Sequence, residues 1–273
     1  MEVESAVKKQ VFRGENKVGS VKPPTDSSGI EKRPEVSLAN GAKYTGEWIG
    51  KERHGHGVQV WKDSSRYEGE WAHDKANGQG KLNHADGDVY VGEWKNDKAH
   101  GKGTYIHANG AKYDGEWVND KQHGYGVETW PDGAKYEGEY KNGKKEGKGK
   151  LFFADKSVYD GEFKENEING FGSYKWNDGK KYVGNWKHNK MMGEGELIWH
   201  DGKSYKGNFI NDKRNGFGTF KWNDGRIYEG GWKDGKQDGK GKFTAPDKEV
   251  KYGIWNKGKR ETWTDKDGNP ISD

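Results

Sequence analysis

From Tyr44 onward, apolar and polar residues alternate with a period of two, and the alternating runs themselves recur every 23 residues. In the copy that begins at Tyr113, the residues Tyr113, Gly115 and Trp117 stand two apart, as do Gly124, Gly126, Glu128 and Trp130. Side chains two apart share one face of an extended strand, so each set predicts a strand and not a helix, whose period is 3.6. Val118 to His123 separates the two sets, and Pro131-Asp132-Gly133-Ala134-Lys135 follows the second; both connections carry turn chemistry. Each copy therefore predicts a β-hairpin.

The register is strict. The opening tyrosine returns at 44, 67, 90, 113, 136, 159, 182, 205 and 228, and then at Tyr252 after a step of 24. A glycine follows two residues after each of the first nine, and an aromatic residue two later, from Trp48 to Trp232. A Gly-x-Gly follows in nine copies, from Gly55/Gly57 to Gly239/Gly241. Such a chain is read as an array before anything else. Ser64 and Lys156 replace the turn glycine in two copies, which predicts two turns of a different kind. The expected fold is all-β: an elongated single-layer antiparallel meander of about ten 23-residue hairpins, on the order of 95 Å long at roughly 4.8 Å per strand. Glycine inside strands weakens them. The expected reason for it here is room for the rings of Trp117 and Tyr140 to lie on neighbouring backbone.

Three segments follow. Residues 1–40 break the pattern and contain Pro23-Pro24-Thr25-Asp26-Ser27-Ser28-Gly29, which reads as a flexible tail. Residues 41–248 hold nine full repeats. Residues 249–273 hold a degenerate tenth copy, Tyr252-Gly253-Ile254-Trp255, that reads as a cap and a short tail. The cap ends in an edge strand, where end-to-end or homodimer contact is expected.

Composition changes this picture only a little. Hydrophobic residues make up 29% of the chain, a share that suggests disorder, but thirteen tryptophans held in register argue for an ordered sheet. There is no cysteine, no apolar run near 18 residues and no signal-peptide pattern, so the expectation is a cytoplasmic chain in a reducing compartment. No nucleophile elbow or phosphate loop stands out, and the array occupies the length a catalytic domain would need; the expectation is no enzyme, no catalytic residue and no cofactor. His100 and His123 are equivalent positions, but two strands separate them by roughly 9–10 Å, too far to share a metal, so no metal site is expected.

Two surfaces remain as candidates. A single-layer sheet has nothing of its own to cover its aromatic face, so Trp71, Leu82, Trp94, Tyr105, Trp117, Leu151, Tyr174, Leu197 and Phe220 are expected to line a partner-binding groove. Lys75, Lys98, Lys121, Lys144, Lys190, Lys213 and Lys236 fall four residues after the strand-one aromatic and form a rim that could meet anionic phospholipid. Acids interleave with that rim, and 48 basic against 44 acidic residues leave a net charge of only +4, which disfavours a lipid surface and excludes nucleic acid as the expected partner. On the opposite, charged face the acids of strand one thin to Asn185 and Asn208 from the seventh copy on, which suggests a different partner there.

Tyr-x-Gly-x-Trp followed by Gly-x-Gly at 23-residue spacing resembles the MORN repeat (membrane occupation and recognition nexus) over roughly four-fifths of the chain. Family members built of repeats alone resemble radial-spoke-head and other ciliary or cytoskeletal assembly components. The resemblance therefore implies a non-enzymatic scaffold, with partner proteins in a cytoskeletal assembly such as the ciliary axoneme. The alternative it implies is membrane tethering through the lysine rim, as in junctophilins, or a regulatory arm like that of a lipid kinase.

If each unit leans mainly on its neighbours, removing Tyr113 to Lys135 whole restores the register and leaves a folded, shorter array. Removing Tyr113 alone turns the strand's apolar set to the wrong face. Circular dichroism melts of both variants check this: the one-residue deletion is expected to be the more damaging.

Overall fold

The computed structural model of the protein describes residues 29–271. Among the described residues there is no helix, and every regular element is a β-strand. The chain divides into two compact units, with the boundary between Lys144 and Lys145. The first runs from β1 (Ile30–Ser37) to β10 (Lys135–Lys141), each strand pairing antiparallel with the next. The second runs from β11 (Lys144–Phe152) to β21 (Lys259–Thr264) in the same way. Each unit is thus a single-layer antiparallel meander, as the period-two pattern predicts.

One repeat explains the rest. In β8 (Lys112–Val118) and β9 (Lys121–Thr129), Gly115 stands directly opposite Gly126. The ring that lies over this pair is that of Tyr113, not the expected Trp117 or Tyr140: a Cβ added at Gly126 would meet the Tyr113 ring at 2.5 Å, and one added at Gly115 would meet its hydroxyl at 2.6 Å. The reason is local. Tyr113 is the second residue of the strand that carries Gly115, so its ring folds forward over its own hairpin and its hydroxyl reaches the Glu116 carbonyl, to which it donates at 3.0 Å. All nine array tyrosines, from Tyr44 to Tyr228, are at most 2% exposed. Each donates the same bond three residues on, from Glu47 at 3.0 Å to Gly231 at 3.1 Å.

Aromatic rings then close the gaps between hairpins. Tyr113 meets Trp117 edge-on at 5.1 Å and 88°, and Tyr140 of the next hairpin at 5.1 Å and 85°. In the second unit Tyr205 meets Phe209 and Trp232 in the same manner, both at 5.1 Å. Indole N–H groups donate to glycine carbonyls of the preceding hairpin, Trp117 to Gly103 at 2.9 Å and Trp232 to Gly218 at 3.1 Å. These two buried indoles thereby keep a hydrogen-bond partner.

The turns depart from expectation in two places. Ser64 and Lys156 do not change the turn type: both adopt the positive φ that glycine takes elsewhere, 73° and 70°, and their loops keep the same backbone bonds. The second connection is shorter than Val118 to His123, because Asn119 and Asp120 alone form it, with φ of 49° and 66°. Two consecutive positive φ values define the tight hairpin turn that Asn and Asp tolerate. These turns also tie neighbouring hairpins together: the Ala76 N–H donates to Asp97 Oδ1 at 2.7 Å while the Asp97 N–H donates to the Ala76 carbonyl at 3.0 Å. Asn189 does the same for Ile168, at 2.8 and 3.0 Å.

The tail boundary moves. Residues 1–28 lie outside the described residues, but Ile30–Ser37, placed in the expected tail, form β1 and pair with β2 (Lys43–Ile49). Arg33 and Val36 flank a register shift around Pro34, a residue suited to an edge strand because it has no N–H to present. At the other end the expected capping hairpin is present as β20 (Val250–Asn256) and β21. Its open edge is partly covered by the chain's own return: Thr264 bridges Pro270, and the Ile271 N–H donates to the Trp263 carbonyl at 3.1 Å.

Gly126→Ala is expected to cost about 2–3 kcal/mol, since the new methyl must displace the Tyr113 ring. Gly133→Ala, at φ +86° with open space around its Cβ, costs only the backbone strain, about 1 kcal/mol. Urea melts distinguish them; equal losses would contradict the ring-over-glycine account. The turn ties give a pH-dependent counterpart. Burial pushes the Asp97 carboxyl up to about 6 against the opposing pull of the Ala76 N–H, so the folded chain holds the proton more tightly than the unfolded one. Its contribution to stability is complete below about pH 4 and is lost as pH rises through about 6. Asp97→Asn keeps the acceptor and removes the charge, and is expected to stabilise by about 1 kcal/mol near pH 7.5, after discounting for solvent screening, and by little near pH 4. A shift of the melting point that is equal at both pH values would contradict this assignment.

Candidate functional site

The expected aromatic groove is not open. Trp71, Leu82, Trp94, Tyr105, Trp117, Leu197 and Phe220 are each 8% exposed or less, and Leu151 and Tyr174 are half-buried. The physical reason is the interlocking just described: a single layer covers its own aromatic face when each tryptophan stands edge-on between two tyrosines and over the glycines they leave bare. What was expected as a binding strip is the core of each unit. The lysine rim is where the sequence puts it: Lys75, Lys98, Lys121, Lys144, Lys190, Lys213 and Lys236 each start the second strand of a hairpin and are all exposed. Lys213 lies 3.7 Å from Asp234, a pairing of two well-exposed groups worth little.

Large exposed hydrophobic residues stand instead on the charged face. Phe171 and Phe217 are 56% and 65% exposed, the x residues of two Gly-x-Gly motifs in the second unit. They bracket a trough of about 540 Å³ on β13 (Glu167–Lys175), β14 (Lys181–Lys187), β15 (Lys190–Ile198), β16 (Ser204–Ile210) and β17 (Lys213–Lys221). Register gives its layout. Phe171 faces Asn185 and Glu194 faces Asn208, while Val183, Glu196, Lys206 and Thr219 form a parallel row. Over five strands the trough thus reads phenylalanine, asparagine, glutamate, asparagine, phenylalanine.

The depression has a sequence cause. In the first unit the acid before the strand-one aromatic folds over the next bulge: Glu47 accepts from the His56 N–H at 2.8 Å, and Glu93 from the Lys102 N–H at 2.9 Å. A Cβ on Gly55 or Gly124 would strike such a carboxylate at 2.0 and 2.4 Å. Asn185 and Asn208 are one methylene shorter. Asn185 donates to the Glu194 carbonyl at 3.1 Å instead, and the nearest atoms to a Cβ on Gly193 or Gly216 lie at 3.8 and 3.6 Å. Two shortened side chains therefore lower the floor between the two rings. The thinning of acids after the sixth copy was visible in the sequence; Phe171 and Phe217 were missed because the x of Gly-x-Gly differs from copy to copy and was assigned to neither face. The signal available was parity: the x of Gly-x-Gly is one residue out of step with the buried set, so it points to the charged face.

Among the described residues no group of three or more His, Asp or Glu side chains could hold a metal ion. No helix among them is long and apolar enough to cross a membrane.

A single-layer array of hairpins whose own aromatics form its core defines the class: a β-repeat protein. The MORN repeat model matches residues 44–66, 67–89, 90–112, 113–135, 136–158, 159–181, 182–204, 205–225 and 228–250, and the chain belongs to the MORN-repeat family. No curated protein sequence gives a significant match. Among solved structures, the chain is similar to the TCP10 domain of Danio rerio CPAP in complex with a STIL peptide, at 14% identity and a TM-score of 0.46, covering 86% of this chain and 99% of that one. It is also similar to the TCP domain of Drosophila melanogaster SAS-4 in complex with a proline-rich motif of Ana2, at 13% identity and a TM-score of 0.36, covering 70% and 99%. Staphylococcus aureus virginiamycin B lyase follows at 10% identity and a TM-score of 0.18, covering 82% and 94%.

Proposed function

We propose that the protein is a non-enzymatic scaffold that binds a segment of a partner protein in the trough of its second unit. The observation that carries this reading is the pair of phenylalanine rings, each more than half exposed, at the two ends of a trough lined between them mainly by polar side chains. An exposed aromatic side chain has surface to bury and little conformational entropy to lose, which is why such residues dominate protein interfaces. The MORN resemblance supports a cytoskeletal setting, and among repeat-only members a ciliary axoneme of the radial-spoke kind. The lysine rim supports a second reading, attachment to anionic phospholipid, since all seven lysines are exposed at the start of a second strand.

Selection from a displayed library of random peptides tests the first reading. Ligands are expected whose binding falls about tenfold in Phe217→Ala and in Asn208→Glu, the latter restoring the longer side chain that closes the bulge in the first unit. Both variants should melt like the parent chain, because the positions are on the open face. Liposomes carrying phosphoinositides should recover little protein at physiological salt, where charge is screened over about 8 Å. Recovery that is strong, salt-sensitive and lost on reversing Lys190, Lys213 and Lys236 would favour the membrane reading instead.

A further inference from the structure

The layout of the trough restricts what can lie in it. Its three prominent side chains, Phe171, Glu194 and Phe217, are equivalent residues of successive repeats on β13, β15 and β17. Equivalent positions two strands apart are spaced by about 9.6 Å, so the three sites stand at roughly 0, 9.6 and 19 Å across the strands. A polyproline II helix has three residues per turn and rises about 3.1 Å per residue, so it returns a side chain to one face every 9.3 Å or so. Three successive contacts then stay in step to within about 1 Å. A fully extended segment returns a side chain to one face about every 6.7 Å and misses the second site by roughly 3 Å. An α-helix returns to its face after seven residues, about 10.5 Å, and is about 2 Å out by the third site.

Charge fixes the middle position. Glu194 is exposed and carries no ion pair among the described residues. Lys206 stands opposite Glu196 in the register, one row away, so Glu194 is the acid on the line between the two rings. The asparagines at either side of it, Asn185 and Asn208, line the floor of the trough, Asn185 donating to the Glu194 carbonyl.

We infer that the trough takes a polyproline II segment laid across the strands, with an arginine or lysine over Glu194 and a proline or other apolar residue three positions to each side, over Phe171 and Phe217. The match is between the three-residue turn of the ligand and the two-strand repeat of the protein. Aromatic rings are a suitable floor for such a ligand, which loses little entropy because its conformation is already extended before it binds. This inference rests on the protein-binding reading above and adds the conformation, the spacing and the charge of the bound segment.

Fluorescence anisotropy with a labelled, acetylated Pro-Pro-Pro-Arg-Pro-Pro-Pro peptide tests it on the full chain. Saturable binding is expected, weakened about tenfold by Phe171→Ala or Phe217→Ala, and weakened again when the arginine is moved by one position. The peptide with glutamate at its centre should bind poorly to the parent chain and recover on Glu194→Lys, while the arginine peptide loses affinity for that variant. Thermal melts of the exposed-site variants guard against unfolding, and the charge exchange is a gain of binding that an unfolded chain cannot give. Absence of binding by the arginine peptide, or affinity indifferent to Glu194→Lys, overturns the inference. Library ligands that need Phe171 and Phe217 but carry no proline spacing would do so too while leaving the protein-binding reading intact; a library that yields no ligand for the trough removes both.

Discussion

Everything in this fold depends on a tyrosine ring lying flat on two glycines. The Gly115–Gly126 pair, and its counterparts such as Gly69–Gly80 and Gly207–Gly218, bring the two strands' backbones close enough that a Cβ added to one glycine would strike the next Cα at 2.4 to 2.7 Å. The ring takes the space two side chains would have filled. Its hydroxyl then caps the bulge on the strand that carries it. Strand glycine is ordinarily a cost of about 0.5–1 kcal/mol; here it is offset by burial of a whole aromatic side chain, worth roughly 2–3 kcal/mol, and by a hydrogen bond of about 1 kcal/mol. Burial also raises the tyrosine hydroxyls, that of Tyr228 to about 12, so the donors persist through the physiological range.

That packing solves a problem a single sheet would otherwise have. One layer offers no second layer to bury against, and the usual remedy is a helix or another sheet. The aromatic residues instead bury one another along the array, edge against face. Leu82, Tyr105 and Phe220 occupy the remaining gaps at the foot of the same face. A pH-sensitive detail accompanies the arrangement: turn aspartates such as Asp97 and Asp120 hold their neighbours' N–H groups from half-buried positions, and burial raises both carboxyls. The asparagines at 166 and 189 make the same tie without the charge.

The architecture was legible in the sequence because period two and period 23 are both properties of the backbone path. Strand identity, hairpin pairing and the capping hairpin all follow from them. Two things were not legible. The exposure of the aromatic face was misjudged, because alternation says which residues share a face but not whether they are large enough to cover one another; Trp71 and Trp94 at 2% and 3% exposure show that they are. The start of the array was placed late, because β1 carries none of the Tyr-x-Gly-x-Trp residues and is held by backbone pairing to β2 alone in pattern, with Arg33 packed 4.8 Å over Trp48 as the side-chain anchor. Backbone pairing leaves no mark on composition.

A comparison of columns within the chain says where chemistry is free to differ. The ring position is tyrosine in nine copies and its glycine partners never change, so this part of the aromatic face is fixed by packing. The x of Gly-x-Gly reads His56, Gln79, Lys102, Tyr125, Lys148, Phe171, Glu194, Phe217 and Lys240, nine positions with six kinds of side chain. Nothing in the hairpin requires any of them. A repeat that fixes one face and frees the other is a support on which a local pattern can be written, two strands at a time. Only in the second unit does that free column combine two phenylalanines with the shortened Asn185 and Asn208, so that rings and depression coincide. The fold explains why such a site can exist anywhere along the charged face; these four side chains explain why it exists there.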